Sequence, residues 1–282
     1  MREHAYASLV GTAVGDALGD GLHLRDNAIH RRLPAAPWRW TDDTEMACSV
    51  YDVLSTHGRV EPDALAASFV ARYDVDRGYG AGIDAMMRMV ARGEDLRTLA
   101  ASAFGGTGSW GNGAAMRIAP LGAWFAGDPA RAAAEAAVAA AVTHTHPEGV
   151  AGAVAVAVAA AVAPENLFAE VLRHTPPGEV RSGIEKAATL AGTPEDAAAQ
   201  LGTGGRVSAP DTVPLALWVV ARHPADYEEA VWEVAALAED VDTLCAIVGG
   251  IIAARVGEAG IPQLWRESVE PLPSVPNWKC GA

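Results

Sequence analysis

Apolar positions along the chain recur with helical spacing, and alternating strand patterns are scarce. Two alanine- and valine-rich segments, 130–142 and 150–162, are apolar on nearly every face, the pattern of helices enclosed on all sides. Three-to-four spacing predicts further helices over 44–56, 62–71, 82–92, 115–125, 179–191, 212–221, 225–238 and 243–257. Many are bracketed by Gly, Pro, Asp or Thr, which start and stop helices. No low-complexity linker, charge block or fixed-period repeat interrupts the series. The pattern predicts an all-α fold, with one compact helical domain over residues 1–270. Pro271, Pro273 and Pro276 exclude regular helix or central strand from a tail over 271–282, expected to lie extended on the surface.

Composition narrows the classes of partner. Half of the 282 residues are hydrophobic, ample for a sizeable core. The formal net charge of −14 disfavours nucleic-acid backbone and anionic membrane, which bind through clustered Lys and Arg. A small anionic ligand would need local help from metal ions or helix N-termini. Cys48, Cys245 and Cys280 are odd in number and show no CxxC spacing, which argues against a disulfide framework or a zinc site. The glycine-rich N-terminal stretch and the 150–162 run are both shorter than the ~20 residues of a spanning helix, and no signal-peptide cleavage site is evident. The expected compartment is the cytoplasm; the oligomeric state is left open.

Five segments stand out against the alanine background. Trp40-Thr41-Asp42-Asp43-Thr44 and Glu239-Asp240-Val241-Asp242-Thr243 each precede a predicted helix. Either alone reads as an N-cap, because Asp and Thr cap helices and carboxylates suit their N-termini. Capping uses one side chain, however, and each segment carries two or more carboxylates with neighbouring hydroxyls, the oxygen donors that Mg²⁺ takes. Two such clusters favour a shared two-metal site. Gly105-Gly106-Thr107-Gly108-Ser109-Trp110-Gly111-Asn112-Gly113 reads either as a flexible connection or as a loop whose N–H groups approach a phosphate. It is neither a Walker loop nor a dinucleotide fingerprint. Thr143-His144-Thr145-His146-Pro147 has no third ligand at zinc-motif spacing, and its histidines serve equally as polar loop residues. Gly202-Thr203-Gly204-Gly205-Arg206 is a further tight glycine turn.

Taken in order, these segments resemble the ADP-ribosylglycohydrolase superfamily, which includes the dinitrogenase-reductase-activating glycohydrolase. The likeness begins at Gly15-Asp16-Ala17-Leu18-Gly19. It continues through Thr41–Thr44, Ser109-Trp110-Gly111-Asn112-Gly113-Ala114-Ala115-Met116-Arg117 and Thr143–Pro147, and ends at Asp240-Val241-Asp242-Thr243. Each motif is weak alone; five in this order and separation are specific.

The resemblance implies an orthogonal helical bundle of that type, a pair of Mg²⁺ ions (or Mn²⁺), and hydrolysis of a glycosidic bond at the anomeric carbon of ADP-ribose. An arginine side chain is one acceptor it suggests. It implies Thr41, Asp42, Asp43, Asp240, Asp242 and Thr243 as metal ligands, with Asp42, Asp43 and Asp242 also in the chemistry. It further implies Ser109, Gly111, Asn112, Gly113, His144, Gly202, Gly204 and Gly205 as substrate contacts. Partners are then ADP-ribose or an ADP-ribosylated protein or small molecule.

Three departures bear on catalysis. His23 stands where many members carry a glutamate seven residues after the first Asp, Arg206 follows the late glycine loop where Tyr is frequent, and Ala238-Glu239 replace two glycines. They keep open the alternative of a catalytically weak paralogue that binds ADP-ribose or a related nucleotide as a sensor.

Overall fold

The computed structural model describes residues 2–22 and 25–273. Among these residues there are seventeen α-helices and three short 3₁₀ helices, and extended pairing is confined to two isolated bridges, Trp38 with Val269 and Gly111 with Ser208. The all-α expectation is met. Five helices place the site: α1 (Arg2–Gly21), α2 (Asp42–His57), α3 (Pro147–Ala161), α4 (Ala209–Arg222) and α5 (Val241–Val256).

Helix α5 is apolar almost all round and buried from Thr243 to Ala254, so it can only lie in the interior. Helix α1 runs against it. Their backbones meet at glycines spaced four apart on α1, Gly11, Gly15 and Gly19. A Cβ on Gly11 would lie 2.6 Å from the Gly249 carbonyl oxygen, and one on Gly19 would lie 2.6 Å from the Asp242 Cα. This seam joins the two ends of the sequence and sets Asp16 beside Asp242. Ser8 donates to the Gly250 carbonyl (2.8 Å), and the Tyr227 hydroxyl donates to that of Gly11 (2.6 Å).

Helix α1 was not among the helices predicted from periodicity, and its glycines are the reason. Each disfavours an isolated helix by about 1 kcal/mol relative to Ala, and here the close packing that only glycine permits offsets that. Helix α3 is buried along nearly its whole length, as its composition predicted. The single helix expected over 115–125 is two, Gly113–Met116 and Ala119–Trp124, because Pro120 lacks the N–H that would continue the first into the second. Short helices over Leu96–Gly106, Leu167–His174, Pro194–Leu201 and Gln263–Ser268 were also missed.

Helix α2 begins at Thr41, whose extended backbone and hydroxyl form the N-cap, and ends at Gly58 in the left-handed region, whose N–H donates to the Leu54 carbonyl. Glu270 donates its N–H to the Trp38 carbonyl at 2.9 Å, holding the chain after the last helix against the segment before α2. The expected tail falls, from residue 274 onward and so including Pro276, outside the described residues. No helix among those described is long and apolar enough to cross a membrane.

Candidate metal centre and ligand cavity

The N-termini of α2 and α5 converge beside the middle of α1. Carboxylate oxygens of Asp16, Asp43 and Asp242 lie within 4.8 Å of one another. Asp42, Asp43, Asp240, Asp242 and Thr243 line one wall of a cavity of about 330 Å³, and Ser109, Gly111, Asn112, Gly113 and His144 line another.

Asp16 carried no assigned role beyond its place in the first motif. It is fully buried and accepts from the Thr41 N–H (2.9 Å), the Thr41 hydroxyl (2.8 Å), the Thr44 N–H (3.1 Å) and the Thr44 hydroxyl (2.5 Å). These bonds satisfy the donors that the first turn of α2 would otherwise leave orphaned. Asp16 thus ties α1 to α2 and fixes where Asp42 and Asp43 project. The available signal was a carboxylate set among the apolar, glycine-spaced positions of α1. Thr41, expected as a metal ligand, contacts Asp16 and also Asp43 Oδ2 at 3.1 Å; its single proton serves one carboxylate at a time.

The cluster is electrostatically unfinished. Burial, and then the neighbouring Asp242, push Asp16 up to about 7. Burial and Asp242 likewise push Asp240 up to about 7. Burial, then the charges of Asp16 and Asp242, raise Asp42 and Asp43 well above the ordinary carboxylate range. Asp43 Oδ1 is buried with no hydrogen-bond partner. Carboxylates this close cannot all ionise without counter-charge, and an all-oxygen donor set of Asp and Thr is the kind that hard divalent cations fill. The residues present therefore fit a metal centre.

Asn112 links the two walls: its Nδ2 donates to Asp240 Oδ2 (2.7 Å) and to the Thr212 hydroxyl (3.0 Å). Gly111 donates its N–H to Ser109 Oγ (3.2 Å). His144 is buried, and burial together with Arg117 lowers its pKa to about 3, so the ring is neutral. His146 does not face the cavity wall; its ring nitrogen caps α3 by accepting from the Glu148 N–H at 3.1 Å.

The late glycine turn falls differently from what the resemblance implied. Gly202, Gly204 and Gly205 are not among the cavity-lining residues. Gly204 abuts Asp240, where a Cβ would lie 2.6 Å from the Asp240 Cβ, and the Thr203 carbonyl accepts from the Glu239 and Asp240 N–H groups (2.8 and 3.3 Å). The turn buttresses the Asp240 loop from behind. Arg206 bonds Asp211 through its backbone (2.9 Å) and its Nε (3.1 Å) and is otherwise exposed. Glu239 sits against Gly205 rather than in the cavity wall. His23 lies outside the described residues.

Sequence reasoning missed the far wall, formed by Gly78, Gly80, Ala81, Gly82, Ile83 and Met86. Glu45, one turn after Asp42 on α2, holds that segment by accepting from the Asp74 N–H (3.2 Å) and the Tyr79 hydroxyl (2.6 Å). It also missed Phe104 and Val207 on the cavity wall. Both have left-handed backbones (φ 51° and 49°), uncommon for such side chains, and both are exposed, at 69% and 58%. Trp110, 46% exposed, stands beside Ser109.

An acidic cluster beside a glycine-bearing cavity on an all-α scaffold is the class of site this fold presents, and comparison with known proteins identifies the family. The sequence profile of ADP-ribosylglycohydrolase matches residues 1–278, and the chain belongs to that family. It is 26% identical to the ADP-ribosylhydrolase ARH3 of Bos taurus, over 93% of this chain and 87% of the relative. It is also 26% identical to the ADP-ribosylarginine hydrolase Tri1 of Serratia proteamaculans (strain 568), over 95% of this chain and 75% of that one. A solved structure titled ADP-ribosylglycohydrolase-related protein complex superimposes with a TM-score of 0.70 at 25% identity, covering 95% of this chain and 93% of that chain.

Proposed function

We propose that the protein is a divalent-cation-dependent hydrolase of the glycosidic bond between ADP-ribose and an acceptor. The observation that carries this reading is one cavity that brings the motifs together. Asp42, Asp43, Asp240 and Asp242 line it, with Asp16 beside them, and so do a glycine turn, a neutral histidine and the exposed ring of Phe104. Thr41, Asp42, Asp43, Asp240, Asp242 and Thr243 would hold two Mg²⁺ ions, with Mn²⁺ as the substitute. Bound there, such ions supply positive charge to ribose hydroxyls and lower the pKa of a water.

The chain's own groups do the rest. A cavity-facing carboxylate, Asp42 or Asp242, accepts the proton of the attacking water. The Ser109–Gly113 turn leaves room for phosphate oxygens, and Asn112 holds Asp240 in register. Phe104, exposed on the cavity wall, offers an aromatic face to a purine, an apolar contact that a protein of charge −14 needs to hold an anionic nucleotide. The name of the Serratia relative makes arginine-linked ADP-ribose the first acceptor to assay.

A second reading, a binding module without turnover, is favoured by His23 in place of a glutamate. One experiment separates the two. Purified protein is incubated with ADP-ribosylated arginine and serine peptides, with Mg²⁺ and then with EDTA, while ADP-ribose release and, by calorimetry, ADP-ribose binding are followed. EDTA-sensitive release supports the hydrolase. Metal-dependent binding without release from any conjugate leaves the binding module, and absence of both ends the ADP-ribose assignment.

A further inference from the structure

Among the described residues Arg117 is the largest fully buried side chain, and its hydrogen bonds there go to neutral groups rather than to a carboxylate. One guanidinium nitrogen donates to the Thr143 hydroxyl at 2.8 Å; weaker contacts reach the Ala139 carbonyl (3.4 Å) and the Met46 sulfur (3.4 Å). The guanidinium lies over the Phe69 ring, 4.5 Å from its centroid, and Nε has no partner. An unpaired buried cation is costly, so its retention calls for a reason at this place in the fold.

The reason lies one residue further on. Thr143 Oγ1 is 2.8 Å from His144 Nδ1. A guanidinium can only donate, so Thr143 accepts from Arg117; among the described residues its hydroxyl has one further hydrogen-bond partner, His144 Nδ1, and a proton directed there is the arrangement that uses the hydroxyl's single donor. In a neutral ring whose Nδ1 accepts, the proton resides on Nε2. Nε2 is the nitrogen that faces the glycine turn. A Cβ on Gly111 would lie 3.3 Å from it and one on Gly113 3.0 Å from it, so both glycines leave it uncovered beside the cavity.

We propose that Arg117 and Thr143 are positioning residues that lock His144 in its Nε2–H tautomer, so that the ring presents a donor, not a lone pair, to an oxygen of the bound ligand. The ligand part of this statement rests on the function proposed above; the tautomer part does not. Burial and the charge of Arg117 keep the ring from becoming an imidazolium, so the donor is neutral and constant.

The test is long-range proton–nitrogen correlation spectroscopy of ¹⁵N-histidine protein at neutral pH, with the His144 signals assigned by their loss in His144→Asn. The expected spectrum has Nδ1 unprotonated and Nε2 protonated. Thr143→Val, nearly isosteric, should yield a mixture of tautomers and weaken ADP-ribose binding in Mg²⁺ by about tenfold, the loss of one hydrogen bond. Thr143→Ser, which keeps the hydroxyl, should restore both. A ring carrying its proton on Nδ1, a doubly protonated ring, or an unchanged tautomer in a folded Thr143→Val protein overturns the proposal. If the wild type ignores ADP-ribose, the functional reading fails while the ring spectra still decide the tautomer.

Discussion

Asp43 concentrates the electrostatics of the site in one atom: Oδ1 is buried without a hydrogen-bond partner, and the carboxyl is pushed far above its ordinary range by burial and by Asp16 and Asp242. Without metal, that carboxyl destabilises the fold; with metal, it becomes a ligand. Asp43→Asn should therefore raise the melting temperature of the EDTA-treated protein and abolish the shift that Mg²⁺ produces in the wild type. Activity should fall by about a hundredfold or more, the scale seen when a preorganised charge-stabilising group is removed. Differential scanning fluorimetry with and without Mg²⁺ reads the first two. A variant less stable than the wild type in EDTA, with its Mg²⁺ shift intact, would return Asp43 to a helix-capping role. Both carboxylate pairs are legible as candidate ligands in the sequence itself, because two acids beside hydroxyls at a helix start exceed what capping needs. Asp16 is not, because its partners Thr41 and Thr44 lie 25 and 28 residues away.

At the scale of elements, the α1–α5 seam sets the distance between the two halves of the acidic cluster. Gly19→Ala would bring a methyl onto the Asp242 backbone, 2.6 Å from Cα and 2.8 Å from N, with no flexible side chain to yield. The helices must separate, and the expected loss is about 1–3 kcal/mol in urea denaturation, the scale of overpacking, together with weaker Mg²⁺ binding. Gly82→Ala is the contrast: nothing lies within 4 Å of its added methyl on a helix, so stability should rise by about 0.5–1 kcal/mol. Equal effects of the two substitutions would show that the seam is not under close-packing constraint. Periodicity identified α2 through α5 in outline but passed over α1, since glycine spacing carries no hydrophobic signal of its own.

Over the whole molecule, the raised carboxylates link stability to pH and metal. Asp16 and Asp240 titrate near 7 in the folded protein against about 4 for an unfolded carboxylate. Between those values the native state binds more protons than the unfolded chain, so this cluster's contribution to stability falls as pH rises through that window. In EDTA the melting temperature should carry a downward component from pH 5 to pH 7.5. Mg²⁺ competes with those protons, so its stabilising effect should grow over the same range. At a hundredfold excess over its dissociation constant it contributes about 2.7 kcal/mol, or roughly 5 °C for a chain of this size. A Mg²⁺ shift independent of pH would separate the cation from the acidic cluster.

The helical class, the two clusters of metal-type donors, the glycine turn and their order along the chain were determined by the sequence alone, because periodicity and residue chemistry are local properties. Which groups meet was decided only by the tertiary structure. Gly202–Gly205 became a buttress for Asp240, Asp16 became the tie between α1 and α2, and Phe104 and the Gly78–Met86 wall came to the cavity from segments without motif character. Arg117 belongs to a motif, yet its path through Thr143 to His144 exists only once the turn that ends the Gly113–Met116 helix packs against the segment before α3. Burial, distance and the number of neighbouring charges decide each of these roles, and none of the three is written in any single stretch of chain.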